Sequence, residues 1–409
     1  MQLPMNASKP QSSILWLQVC GLAAMQGAIT LTWVTYNLYL PKLLIQFGFP
    51  QELATTLLIV EAGLTVVLEP LFGGLSDEAQ RWSGSRFPFI AAGVVLASTL
   101  SIAIPAVVAF GSLGSRLRWL LPGVMVAWAL AMTIFRSPAL CLLGRYAAAP
   151  NLPRAASVLT LIGGMAGATE PLASQFILSL GPVITFSTGS ILLLGAAAML
   201  RFTNPQASIT SSKELAISAV SGWLSVLRLG LIFVTGASIT LGFRVLVNAL
   251  PKVLTPQLPG ANVGLMTGKI LVTLFLAAIP AGVLAVRIGN RRAMLIGLGA
   301  MIGFSGLSLF AHGMVTALGI GIALGISFSL VSNGAIPFAL TLAPLNNPGL
   351  GIGMYFGGGA LAVSLFKLGL NPSKMITPSA AILLAVSAFL VAAACIAVSR
   401  TVTLNTATD

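Results

Sequence analysis

The sequence predicts an all-α membrane protein of twelve transmembrane helices, arranged as two pseudo-symmetric six-helix bundles. Three observations lead there. Hydrophobic residues make up 57% of the 409 residues and charged residues only 7%, against roughly 25% charged in a soluble globule, and the mean hydropathy is +0.99. Apolar runs long enough for a hydrocarbon core, which takes about 20 helical residues, recur along the whole chain. Two short sequence matches also return at nearly one offset, with one copy in each half.

The first apolar run, 14–37, follows a polar lead that carries one cation, Lys9. It exceeds the roughly 7–15-residue core of a cleavable signal peptide and is expected to stay attached as the first helix. Spans 53–75, 88–111, 119–142, 155–179 and 182–200 complete the first half. After the polar stretch 201–221 come spans 222–248, 261–286, 293–311, 314–341, 350–371 and 377–399. The expected organisation is a tail 1–13, a bundle 14–200, a linker 201–221, a second bundle 222–399 and a tail 400–409.

Orientation follows from where Lys and Arg lie between the spans. With the N-terminus inside, the inner segments hold Lys9, Arg81, Arg86, Arg145, Arg154, Arg201, Lys213, Arg287, Arg291, Arg292 and Arg400, and the outer loops only Lys42, Arg116, Arg118, Lys252 and Lys374. Both termini are therefore expected on the cytoplasmic side of a bacterial inner membrane. The net charge of +13 is scattered in ones and twos and forms no basic face, which argues against nucleic acid as a partner. Cys20, Cys141 and Cys395 sit inside apolar runs without metal-ligand spacing, so neither a metal centre nor a disulfide framework is expected. There is no phosphate-binding glycine loop, no Cys/His cluster and no Ser with plausible His partners. No enzyme and no cofactor is expected.

The internal repeat rests on two matches. "LPKLL" from Leu40 returns as "LPKVL" from Leu250, an offset of 210. "GGLSD", with Gly73 and Asp77, returns as "GVLAV" from Gly282, an offset of 209, followed by "RIGNRR" with Arg287, Gly289, Arg291 and Arg292. Matches at equivalent ends of equivalent helices indicate duplicated six-helix halves.

These residues carry a family resemblance. "GVLAVRIGNRR" resembles the loop signature of the major facilitator superfamily, a Gly, an Asp four residues later, then Gly and a basic pair, with Val286 at the acidic position of this copy. In the first half Asp77 is present, Gly84 follows seven residues later, and "SRFPFI" with Arg86 comes next. That spacing resembles the sucrose carriers and glycoside-cation symporters. A similar "SD" loop also resembles the pigment-complex assembly proteins of phototrophs. The resemblance implies the major facilitator fold, alternating access, and contact between the two halves on the cytoplasmic side. There Asp77 is expected to meet the N-terminus of the eleventh helix near Gly349 to Gly353, with Arg81 and Arg86 as braces or positive-inside anchors.

Ionisable residues inside spans are the default functional candidates, because a charge at mid-bilayer costs at least about 2.5–3.5 kcal/mol. They are Glu61, Glu69, Arg136, Glu170, Arg228, Arg244, Lys269 and Lys367. Glu61, Glu170 and Lys269 lie near mid-helix, while Glu69 and Arg136 share a deeper level and are expected to pair. The resemblance, which packs the fifth helix on the eighth, implies a Glu170–Lys269 pair. Glu61, as the least paired carboxylate, is the leading proton carrier and Glu170 the second; the competing role is structural pairing with buried cations. Arg244 and Lys367 are expected to snorkel to the surface, and His312 to be interfacial. Trp33, Tyr36 and Asn37 offer stacking and hydrogen bonds to a sugar, or serve as belt anchors.

The expected function is secondary transport of a small polar solute, a sugar or glycoside in the nearest resemblance, proton-coupled, by a monomer in lipid. The alternatives are a non-transporting assembly factor for pigment or protein complexes, and an exporter of an amphipathic or anionic solute.

Overall fold

The computed structural model describes residues 14–110, 117–204, 222–254, 263–311, 313–369 and 377–404. Lys9, Arg116, Lys213, His312, Lys374 and the Lys269 side chain lie outside the described residues. Long uncharged runs must satisfy their backbone groups internally, and helices do so.

Among the described residues twelve long helices follow one another: α1 Trp16–Gln46, α2 Gln51–Ser83, α3 Phe87–Phe110, α4 Leu120–Cys141, α5 Leu152–Ser179, α6 Gly181–Thr203, α7 Gly222–Leu254, α8 Val263–Ile288, α9 Asn290–Leu307, α10 Met314–Leu342, α11 Pro348–Gly369 and α12 Pro378–Leu404. Eleven are long and apolar enough to cross a membrane. The other, α5, has the length at 28 residues, but Ser157, Thr160, Thr169, Glu170, Ser174 and Gln175 dilute its apolar content.

Several helices outrun their apolar spans, α1, α2 and α7 furthest. α1 continues through Pro41 to Gln46, and α7 through Pro251 to Leu254, so both copies of the "LPK" repeat are helical. α2 continues to Ser83. Hydropathy marks where lipid ends, whereas a helix continues for as long as its turns find partners. Here Leu40, Leu43 and Leu44 on α1 and Ser76 and Asp77 on α2 are all buried.

The interior is polar in places and the outside is apolar. On α2, Leu64, Val67, Leu71 and Leu75 face outward, while Glu61, Glu69, Ser76 and Asp77 are buried. This is the inverse of a soluble helix and suits a bundle surrounded by lipid.

Packing repeats between halves. In the first half α1 packs on α5 and α6, α3 on α4 and α6, and α2 on α4; in the second, α7 packs on α11 and α12, α9 on α10 and α12, and α8 on α10. The halves meet through α2 against α11 and α5 against α8. Every pairing has its counterpart six helices later, which is the pseudo-twofold expected of the repeat.

Two glycines set these contacts. A Cβ on Gly73 would collide with the carbonyl of Gly349 on α11, and a Cβ on Gly282 would lie 2.7 Å from Ser157 Oγ and 3.1 Å from the Pro153 carbonyl on α5. The repeated glycine thus lets the second helix of each half touch the first turns of the other half's fifth helix.

Candidate functional site

At the end of the bundle that carries Trp16 and Leu404, here the terminal end, Asp77 closes the seam between α2 and α11. Pro348 opens α11 and leaves the next backbone N–H groups without intrahelical partners. Gly349 N–H donates to Asp77 Oδ1 and Leu350 N–H to Oδ2, each at 2.9 Å. Arg86 Nη2 donates to Oδ1 at 2.6 Å. Asp77 and Arg86 are both buried. One helix thereby caps another in trans, and the anion sits where the α11 dipole is positive.

Local sequence explains the placement of Arg86. Gly84 ends α2 in the left-handed region at φ 72°, which a residue with a Cβ adopts only under strain. The chain then reverses in a few residues and returns Arg86 to Asp77. Arg81 is exposed and stays an anchor.

The second-half motif makes no such cap. Gly289 has φ 92° and turns the chain into α9, Arg287 and Arg292 are exposed, and Arg291 is half-buried. The N-terminus of α5 has no side-chain cap, and Val286 has no group to offer it. The symmetry of packing is therefore not a symmetry of chemistry.

One layer above, Glu69 is fully buried on α2. Ser137 Oγ on α4 donates a short hydrogen bond to its Oε2, and Arg136 Nη1 lies 3.6 Å from Oε1. The Arg136 guanidinium also stands 3.9 Å over the ring of Phe356 on α11. Arg136 thus bridges α2 and α4 to the opposite half.

In the middle of the bundle Tyr36 OH donates to Glu61 Oε1 at 2.5 Å, and Glu61 Oε2 is buried with no hydrogen-bond partner. Tyr36 stacks on Trp128, with ring centroids 4.5 Å apart, and Trp33 meets both edge-on. Glu61 also lies in electrostatic range of Lys367 on α11. Ser364, one turn before Lys367, donates to the Ile59 carbonyl of α2 at 3.2 Å and holds the two helices at this level. Glu170 on α5 interacts with Arg244 on α7 and then with Lys367. Glu170 and Arg244 are nonetheless accessible to solvent. Charges from both halves thus interact at the level of Glu61.

No family model matches the chain, and no curated protein matches it. Solved structures do. A bacterial homologue of the iron transporter ferroportin in the outward-facing state superposes with a TM-score of 0.72 at 18% identity, covering 94% of this chain and 99% of that one. A bacterial homologue of ferroportin in the outward-facing state with soaked iron gives 0.71 at 18% identity, over 95% and 99%. The major facilitator superfamily transporter FucP in the outward conformation gives 0.65 at 12% identity, over 93% and 98%. This chain has the major facilitator fold. It is an integral, multi-pass membrane protein.

On the major facilitator fold the expected residues separate. Asp77 and the α11 N-terminus are in contact, and so are Glu69 and Arg136. Glu170 faces Arg244 and Lys367, while the Lys269 side chain lies outside the described residues; Gly268 beside it packs on Leu172 of α5. Tyr36 is fully buried and is spent on Glu61, so it offers no stacking face to a solute. Trp33 and Asn37 are half-buried. Glu61 is not the least paired carboxylate, because Tyr36 binds it directly.

Arg244 and Lys367, expected to snorkel outward, instead interact with Glu170, and Lys367 also with Glu61. Arg244 is ten residues from the end of α7 at Leu254, deeper than the hydropathic edge at 248 implied. Lys367 lies two residues from the end of α11, but helical side chains lean toward the N-terminus, which carries this one toward Glu61. That lean was readable in the sequence once the helix direction was assigned.

Proposed function

We propose that the chain is a secondary transporter that moves a small polar solute by alternating access and couples it to protons through Glu61. The observation that carries this reading is the convergence of Tyr36, Glu61, Glu170, Arg244 and Lys367 from five helices of both halves, above a seam sealed by Asp77. In this reading the terminal end is cytoplasmic, and the sealed seam with an accessible centre is one of two alternating states.

Glu61 suits a proton carrier because its direct partner is a neutral hydroxyl. Its charge changes without breaking an ion pair, and each change alters its attraction to Lys367 on the moving half. Glu69, held by Arg136 and Ser137 within one region, suits a fixed brace. The iron named for the neighbouring structures is not carried over, since the described residues hold no group of three His, Cys, Asp or Glu side chains.

The test is uptake of labelled sugars, glycosides and amino acids into vesicles under an imposed pH gradient, with wild type and Glu61→Gln. A solute accumulated by the wild type and only equilibrated by Glu61→Gln is the expected result. Equal accumulation by both removes Glu61 from coupling; no movement of any solute favours the assembly-factor reading.

A further inference from the structure

Glu61, Glu170, Arg244 and Lys367 present two carboxylates and two cations to one space, each from a different helix. Elsewhere in the bundle opposite charges meet within 4.0 Å, Arg86–Asp77 at 2.6 Å and Arg136–Glu69 at 3.6 Å. No member of the central group is in ion-pair contact with another member, although they lie in mutual electrostatic range. Opposite charges left apart in a protein interior forgo the hydrogen-bonded contact that offsets their desolvation, unless water or a ligand stands between them. Glu170 and Arg244 are exposed, so no protein group closes over them, and Glu61 Oε2 is a buried oxygen without a hydrogen-bond partner.

Simpler ligands fit this arrangement poorly. An anion that seats on Arg244 and Lys367 meets Glu170, and a cation that seats on Glu170 meets the two bases. A neutral sugar answers neither the acidic nor the basic groups, and Tyr36 and Trp128 cover each other and are fully buried, leaving the half-buried Trp33 beside them. A ligand that carries both signs satisfies both walls.

We propose that this centre binds a small zwitterion, an amino-acid-like solute whose carboxylate is received by Arg244 and Lys367 and whose ammonium group is received by Glu170. The proposal deepens the transport reading, in which this zwitterion is the solute carried. Because the acidic wall lies on α2 and α5 and the basic wall on α7 and α11, the ligand is held by both halves. Binding then draws the halves together at this level, which is the closure that alternating access requires.

The experiment is calorimetric titration of the full chain in detergent or nanodiscs with the proteinogenic L-amino acids, β-alanine and γ-aminobutyrate. The tightest of these is then titrated as its N-acetyl and methyl ester derivatives. Capping either group is expected to weaken binding at least about tenfold, the equivalent of one charge-assisted hydrogen bond. Glu170→Gln is expected to abolish the discrimination against the N-acetyl form alone, and Arg244→Gln to reduce, and Arg244→Gln with Lys367→Gln to abolish, that against the ester alone. These are comparisons within one protein, so a general loss of stability does not mimic them. The proposal is overturned if no zwitterion binds, if capped and uncapped forms bind alike, or if glycosides bind in preference. Binding without uptake into vesicles overturns the transport reading and leaves the site; uptake of a solute lacking one of the two charges overturns the site and leaves transport.

Discussion

Asp77 shows how a single residue acquires a role from its surroundings. Its carboxylate takes two backbone N–H groups and one guanidinium, bonds of the charge-assisted kind worth about 1.5–3 kcal/mol each. Asp77→Asn keeps the shape and loses the charge, so the sealed terminal end is expected to lose about ten- to a hundredfold in population. Double electron–electron resonance between labels at Trp82 and Arg292, both exposed, reads this as new long distances; an unchanged distribution removes Asp77 from the latch. Tyr36 is tested by a double-mutant cycle. Tyr36→Phe alone leaves the buried Glu61 without its donor and is expected to cost about 1–3 kcal/mol in unfolding free energy. On a Glu61→Gln background the same change is expected to cost less, and strict additivity would show that the bond contributes nothing.

Elements carry the next level of cause. α2 is apolar on one stripe and polar on the other, and the polar stripe meets α4 and α11, with Gly73, Gly353 and Gly357 letting the backbones of α2 and α11 approach each other. Gly73→Ala puts a methyl group against the Gly349 carbonyl. With rigid backbone on both sides it is expected to cost about 1–3 kcal/mol of seam contact and to open the terminal end as Asp77→Asn does. Gly195→Ala on α6, where nothing lies within 4 Å, is the control expected to leave the distances alone. A Gly73→Ala protein with wild-type distances would show that the helices slide past the methyl group without parting. Much of this was readable in sequence: the i, i+4, i+8 spacing of Glu61, Thr65 and Glu69 marks the inward stripe, and the "GGLSD" repeat marks the seam. What Thr65 does was not readable. Its hydroxyl bonds the Glu61 carbonyl at 2.7 Å, a local option that spacing does not distinguish from a contact across the cavity.

The whole molecule is a pair of similar bundles whose packing obeys the pseudo-twofold and whose chemistry does not. Acid lies on the first-half wall and base on the second; the cap at α11 has no counterpart at α5. The terminal end carries Arg81, Arg86, Arg145, Arg154, Arg201, Arg287, Arg291, Arg292 and Arg400, an excess that predicts a cytoplasmic position for it. In a cysteine-free background, Trp82→Cys in intact cells is expected to resist a membrane-impermeant maleimide and to react after permeabilisation. Equal labelling of intact cells reverses the orientation.

The sequence by itself determined the number and order of the helices, their duplication and the Asp77 seam, because hydropathy, helix length and a repeated motif are local or periodic signals. It also placed Glu69 and Arg136 at one level, since α2 and α4 run the same way through the bundle and both residues lie a similar distance along them. Only the tertiary structure decided that Arg244 and Lys367 turn toward Glu170 and Glu61, and that Tyr36 serves Glu61 instead of a solute. Those outcomes depend on the length of α7 beyond its apolar run and on which helix faces which across the seam. They are relations between distant segments, and no stretch of the chain records them alone.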